Sequence, residues 1–295
     1  MTKTATALLL TAALLLADTV VYKYDDTGRL ISATYGNGAV VNYTYDGAGN
    51  LLSRGVPGTA PQISATGVVN AASYLAPLVR GELASLFGAN LATGTFGAAT
   101  LPLSTSLGGA QITVAGFPAP LVYVSPTQIN FQVPFEAPAS GSVPVVAAQS
   151  GLPPSPAQQV AMAEYAPGVF TYARTATVVD PIIVHGATNA LVTPDNPASA
   201  GEVLVIYATG AGSFDNPPAT GAAASAVLLA NTAVLAGVTV GGTAAQVAFS
   251  GLTPGDVGLL QINITLPAPL PAGNTLPLVV RFGTASAPPV NLYVR

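Results

Sequence analysis

Apolar and polar residues alternate with a period of two through most of this chain, and glycine, proline, asparagine or aspartate interrupts each run after a few positions. That pattern predicts short β-strands joined by turns, because the side chains of a strand point alternately to its two faces. Near the N-terminus, residues 19–24, 29–35, 39–45 and 50–54 carry β-branched and aromatic residues and predict a small meander. Its joints are Asp25-Asp26-Thr27-Gly28, Gly36-Asn37-Gly38 and Asp46-Gly47-Ala48-Gly49. Asn-Gly suits a tight hairpin because both residues tolerate positive φ. Strands this short bury little by themselves and need a backing layer or further repeats.

Residues 56–61 read as a Pro/Gly linker. Beyond it, residues 83–87, 110–114, 119–124, 128–133, 143–148 and 158–163 predict one set of strands. Residues 178–184, 203–207, 238–240, 246–249, 259–266, 278–282 and 290–294 predict a second. Strands at intervals of about ten residues, in blocks of roughly 100, are the mark of a sandwich. The chain is therefore expected to be all-β: two tandem immunoglobulin-like β-sandwiches at 62–166 and 167–295, preceded by the meander at 18–55. Thr220–Ala236, rich in Ala and Leu, has room for one or two helical turns.

Repeats on two scales agree with this layout. Tyr22-Lys23-Tyr24-Asp25-Asp26-Thr27-Gly28-Arg29-Leu30 returns as Tyr43-Thr44-Tyr45-Asp46-Gly47-Ala48-Gly49-Asn50-Leu51. In the larger part, Gly81-Glu82-Leu83 returns as Gly201-Glu202-Val203. Gln128-Ile129-Asn130-Phe131-Gln132-Val133-Pro134 returns as Gln261-Ile262-Asn263-Ile264-Thr265-Leu266-Pro267.

Composition narrows the function classes. Charged residues are 7% of the 295, against roughly 25% in an average soluble protein. The apolar run Ala5–Ala17 is shorter than the ~20 residues a spanning helix requires, and 26 Pro and 31 Gly elsewhere break helices. The outward positions are Ser, Thr, Asn and Gln, which make a neutral, hydrogen-bonding surface. Eight scattered Lys and Arg build no phosphate-tracking stripe, so no nucleic acid partner is expected. Cysteine is absent, which excludes disulfides and thiol nucleophiles. Lys3, the apolar Ala7–Leu16 and the small Ala17 have the form of a secretory signal peptide at 1–17. Its cleavage would leave a secreted or cell-surface protein with no transmembrane span; its retention would leave an anchor.

The motif Tyr-x-Tyr-Asp-x-x-Gly-Arg/Asn-Leu, present twice, resembles the YD repeat of the Rhs family of bacterial surface and secreted proteins. Long arrays of that repeat coil into hollow β-shells, and some members bind carbohydrate or enclose toxins. Two copies enclose nothing, so the resemblance implies a strand-turn unit and an extracellular setting. Residues 62–295 resemble a C-terminal domain family of secreted acidobacterial proteins. The resemblance rests on Val69-Asn70-Ala71-Ala72-Ser73-Tyr74, the phrase from Leu121 to Pro134, Ala166-Pro167-Gly168-Val169-Phe170 and Ile206-Tyr207-Ala208-Thr209-Gly210. It implies a secreted context and carries no activity with it.

Period two places Ile129, Phe131 and Val133 on one face of their strand and Gln128, Asn130 and Gln132 on the other. With Tyr123 as a stacking platform, that amide row is the candidate binding site for sugar hydroxyls. Alternatively, it satisfies neighbouring backbone or crosses to the sister sandwich, and the repetition of Gln and Asn in both copies favours this structural role. His185 is the single histidine and no Gly-x-Ser-x-Gly is present, so His185 reads as a loop residue. Glu82 and Glu202 occupy equivalent positions and are expected to fix turns by accepting backbone N–H groups. Asp25, Asp26, Asp46 and Asp256 sit beside glycine in turns, and none shows calcium-loop spacing. No cofactor or metal is expected.

These readings point to an exported, non-catalytic protein of display, adhesion or recognition, with a polysaccharide or a cell-surface protein as partner. The rival classes are a secreted hydrolase of glycans or esters and a truncated Rhs-type toxin carrier.

Overall fold

A computed structural model describes residues 20–35, 40–55 and 59–295. The leader expected at 1–17, the Gly36-Asn37-Gly38 joint and residues 56–58 of the linker lie outside the described residues. The chain divides into two compact units, one ending at Gly58 and one running from Thr59 to Arg295. Among the described residues both are all-β, and no helix is long and apolar enough to cross a membrane.

The first unit is a four-stranded antiparallel meander of β1 (Val20–Tyr24), β2 (Leu30–Tyr35), β3 (Val40–Tyr45) and β4 (Leu51–Gly55) in that order. Its repeated sequence builds one turn twice. Asp25 Oδ1 accepts the N–H groups of Thr27 and Arg29, both at 2.9 Å. Asp46 Oδ1 accepts those of Ala48 and Asn50 at 3.0 and 2.8 Å. The Arg-or-Asn position of the motif then closes the turn through its side chain, Arg29 Nε to Asp25 Oδ2 at 2.7 Å and Asn50 Nδ2 to Asp46 Oδ2 at 2.9 Å. The Arg29 N–H on Asp25, and the Asn50 side-chain amide on Asp46, hold both carboxyls below the usual range. Gly28 and Gly49 take the left-handed conformation, φ +82° and +90°, that the turn demands.

In the second unit the first sandwich contains β5 (Gln62–Asn70), β6 (Leu83–Ala89), β7 (Phe96–Gly97), β8 (Ala110–Val114), β9 (Phe117–Pro118), β10 (Leu121–Val124), β11 (Gln128–Gln132), β12 (Gly141–Gln149) and β13 (Gln158–Met162). One sheet has the order β5-β6-β11-β10-β7 and the other β13-β12-β8-β9. The second sandwich contains β14 (Gly168–Val169), β15 (Thr171–Ala173), β16 (Val179–Pro181), β17 (Ile183–His185), β18 (Val203–Thr209), β19 (Gly237–Val240), β20 (Thr243–Leu252), β21 (Leu260–Thr265), β22 (Thr275–Phe282), β23 (Ala285–Ser286) and β24 (Val290–Tyr293). Its path is β14-β18-β21-β20-β19-β22-β23, with β17 on β18 and β24 on β22. β20 pairs with β19 through its first residues and with β21 through the rest, across a register shift between Val247 and Phe249. In the first sandwich the same change of sheet is divided between β9, on β8, and β10, on β11.

The repeated phrases occupy equivalent registers. Ser85 faces Asn130 across β6–β11, and Val205 faces Asn263 across β18–β21. Ile129, Phe131 and Val133 are fully buried in one core, and Ile262, Ile264 and Leu266 are buried in the other, as period two requires. Two elements depart from expectation. β5 is a full strand although its sequence is broken by Gly67, because a bulge between Ile63 and Val68 absorbs the break. A Cβ at Gly67 would lie 2.4 Å from the Phe87 carbonyl oxygen. Thr220–Ala236 forms no helical turn; Ser225 Oγ instead accepts the N–H groups of Val227 and Leu228, and Val227 stands 96% exposed.

The two sandwiches share a polar joint. Leu83 N–H donates to Thr209 Oγ1 at 2.9 Å, and Thr209 Oγ1 donates to Gly258 O at 3.1 Å. Arg80 Nη2 donates to Ser213 Oγ at 2.8 Å, and Leu103 N–H to Gly221 O at 2.8 Å. Phe135 meets Phe214 edge to face, centroids 6.2 Å apart.

Candidate functional site

The sequence-predicted row is only partly on an open face. One rung of the first sheet runs Val69, Ser85, Asn130, Tyr123 and Gly97 across adjacent strands, so these residues share its outer face. Tyr123, Gln128 and Asn130 are half-buried. Their amides are used internally, since Gln128 Nε2 and Ser85 Oγ both donate to Asn130 Oδ1, at 2.8 and 3.0 Å. The second sandwich repeats the pair, Gln261 Nε2 to Asn263 Oδ1 at 3.0 Å. Gln132 is a correction to the candidate row. It is wholly buried, accepts Gly221 N–H at 2.7 Å and donates to Gly81 O at 3.3 Å. Its side chain crosses to the sister sandwich and belongs to the joint, where it has no room for a ligand.

A second surface, which the strand pattern did not single out, is built upward from Asn70. Asn70 is fully buried at the end of β5. Its Oδ1 accepts the N–H groups of Ala72 and Ser73 at 2.8 and 2.9 Å. Its Nδ2 donates to Glu82 Oε2 at 2.8 Å and to Ala166 O at 3.1 Å. Tyr74 N–H returns to Asn70 O at 3.0 Å, and Asn70 N–H to Leu75 O at 3.0 Å. This closed turn holds Tyr74 at φ +57°, a conformation costing a non-glycine residue about 1–2 kcal/mol. The result is a tyrosine 57% exposed, its ring packed at 6.3 Å against Phe87 on the outer face of β6.

Tyr74 stands between two surface grooves. One, of about 450 Å³, runs between the sheet edges β5 and β13 and is lined by Thr66, Val69, Leu75, Gln158 and Gln159 among others. Gln158 Nε2 donates to Ala65 O at 2.7 Å, and Gln158 Oε1 is buried with no hydrogen-bond partner among the described residues. The other groove, of about 310 Å³, lies where the sandwiches meet; Ser73 and Tyr74 face Thr171, Val179, Pro181, Pro289 and Asn291 across it. Among the described residues, no Asp, Glu, Lys, Arg or His lines either groove. The Arg174–Asp180 ion pair on the β15–β16 hairpin is closed on itself, with Tyr293 Oη donating to Asp180 Oδ1 at 2.9 Å.

The equivalent acids, Glu82 and Glu202, have opposite electrostatics. Burial pushes the Glu82 carboxyl well above the usual carboxylate range, although the Asn70 amide opposes it, and Oε1 has no partner among the described residues. Burial also raises Glu202, but the hydrogen bond with His185, reinforced by the Ser199 N–H at 2.9 Å, prevails and lowers it. The turn-fixing role expected of Glu202 is therefore present, with a histidine contact added. His185 is a buried residue at the end of β17. Its Nδ1 meets Glu202 Oε1, and its Nε2 faces Asn196 O at 3.1 Å. Among the described residues, neither ring nitrogen is directed at a serine or threonine hydroxyl. Only the folded chain brings His185 and Glu202, or Asn70 and Glu82, together.

No curated protein sequence matches the chain. Among solved structures it is similar to SGBP-B of the Bacteroides ovatus mixed-linkage glucan utilization locus, in complex with a mixed-linkage heptasaccharide. The identity is 13%, over 97% of this chain and 63% of that one, with a TM-score of 0.33. It is also similar to domains 5–6 of the S-layer protein SbsC, at 11% identity over 79% of this chain and 98% of that one, TM-score 0.24. A tandem from titin is 8% identical over 97% of this chain and 84% of that one, TM-score 0.23. One family model, the RHS Repeat, matches residues 24–60, the segment that contains the turns at Asp25 and Asp46.

Proposed function

We propose that this is an exported, non-catalytic surface or extracellular protein whose sandwiches recognise a neutral polysaccharide at the Tyr74 ridge. The observation that carries the reading is an exposed tyrosine ring, held on a strained turn by the buried Asn70 and flanked by two grooves without a charged residue. An aromatic face stacks on the apolar C–H face of a sugar ring, while amides and hydroxyls beside it exchange hydrogen bonds with sugar hydroxyls. Uncharged lining fits a ligand with no charge to neutralise. The RHS repeat at residues 24–60 and the leader-like sequence at 1–17 support an extracellular setting. The row of Tyr123, Gln128 and Asn130 extends the same outer face and would give secondary contacts. For catalysis, His185 is a poor base, because both its nitrogens are engaged by acceptors.

A glycan array probed with the full chain and with Tyr74→Ala tests this. Retention on neutral glycans, lost in the variant while its unfolding curve is unchanged, is the expected result. Release of reducing ends or acids from a bound glycan or ester would instead favour the hydrolase. Absence of any glycan retention would end the recognition reading.

A further inference from the structure

We infer that the ligand is an internal stretch of a neutral polysaccharide laid across Tyr74, one part in contact with the first sandwich and the adjoining part with the second; this rests on the recognition reading above. Tyr74 lines both grooves, so they adjoin at this residue. Each groove alone, about 450 and 310 Å³, is at the small end of the roughly 300–1,000 Å³ of ligand pockets. Hydrogen-bonding side chains are divided between the two sides of the ring: Thr66 and Gln159 from the first sandwich, Thr171 and Asn291 from the second. A uronate, sulfate or phosphate group would give up its hydration without meeting a counter-charge.

The joint between the sandwiches gives this arrangement its rigidity. Asn70 connects the Tyr74 turn to Ala166, and Gln132 connects β11 to Gly221, so both halves of the surface are held before a ligand arrives. Pre-organisation of that kind lets each added sugar contribute contact without an ordering cost.

The test is calorimetric titration of the full chain with cello-, xylo-, manno- and galacto-oligosaccharide ladders, from disaccharide upward, and with oligogalacturonate as the acidic control. Affinity for a neutral ladder is expected to rise at least about tenfold from disaccharide to plateau, equivalent to about 1.4 kcal/mol. Asn291→Ala should erase that gain for long members, whereas Tyr74→Ala weakens every length. Length-independent affinity, equal or tighter binding of oligogalacturonate, or an Asn291→Ala variant that keeps the full gain would overturn the inference while leaving sugar recognition intact. Failure of every ladder together with an empty glycan array would remove the recognition reading itself.

Discussion

Replacing Asn70 by alanine tests the construction of the site at its base. The side chain is fully buried and makes four hydrogen bonds, to Ala72, Ser73, Glu82 and Ala166. Without it, the buried Ala72 N–H and the Ala166 carbonyl lose their partner, and the Glu82 carboxyl loses the amide that holds Oε2. An unsatisfied buried group costs about 1–3 kcal/mol, so two or three of them predict a loss of about 2–9 kcal/mol. That is a large share of the roughly 5–15 kcal/mol typical of a folded domain. The chain has 11 Tyr and no Trp, so urea unfolding is followed by tyrosine fluorescence and far-UV circular dichroism together. The variant should also lose glycan retention, because the turn that presents Tyr74 is no longer closed. Asn70→Asp sharpens the test. It keeps the acceptor for Ala72 and Ser73 but sets a second carboxyl against Glu82. Two acids in contact raise the pKa of one of them, the folded state then binds the extra proton, and stability falls as pH rises. A loss below about 1 kcal/mol for Asn70→Ala, or an Asn70→Asp variant as stable at alkaline as at acid pH, would refute the reasoning.

Glu82, held above its ordinary value of 4.5 when folded, contributes stability that is complete below that pH and declines as pH rises through the folded value, by at most about 1.4 kcal/mol per unit. Glu82→Gln should flatten this slope and stabilise the protein at neutral pH, as chemical unfolding across a pH series will show. Glu202 behaves oppositely: its folded value is lowered, so its contribution is present above 4.5 and fades as pH falls. His185→Ala removes the side-chain partner of Glu202, whose carboxylate keeps only the Ser199 N–H, while the Asn196 carbonyl keeps the Thr193 N–H; it should cost about 1–3 kcal/mol in unfolding assays without altering glycan affinity. Gln132→Ala should free the Gly221 N–H, detected as faster amide exchange at Gly221 than at core strand amides, and cost about 2–4 kcal/mol.

The fold was legible where local chemistry decides it. Alternation placed Ile129, Phe131 and Val133 inward, and the Asp-Gly turns at Asp25 and Asp46 form as their side chains dictate. The equivalence of Glu82 and Glu202 was legible too, but not their divergence, because that depends on His185 being folded beside one of them and on burial of the other. Gln132 shows the limit of period two: the pattern assigns a face, while the sister sandwich determines whether that face is open. Tyr74 was hidden because positive φ is ordinarily given to glycine or asparagine, and nothing local reveals that Asn70 and Leu75 close a turn around a tyrosine. β5 was obscured by Gly67, whose purpose is close approach to the Phe87 carbonyl.

A crystal structure of the full chain with the longest neutral oligosaccharide that it retains measures the central claim directly. A sugar ring lying on the face of Tyr74, with hydroxyls reaching Gln159 on one side and Asn291 on the other, is the predicted result. Sugar bound elsewhere with the Tyr74 ring bare, or cleaved sugar beside His185, would contradict it.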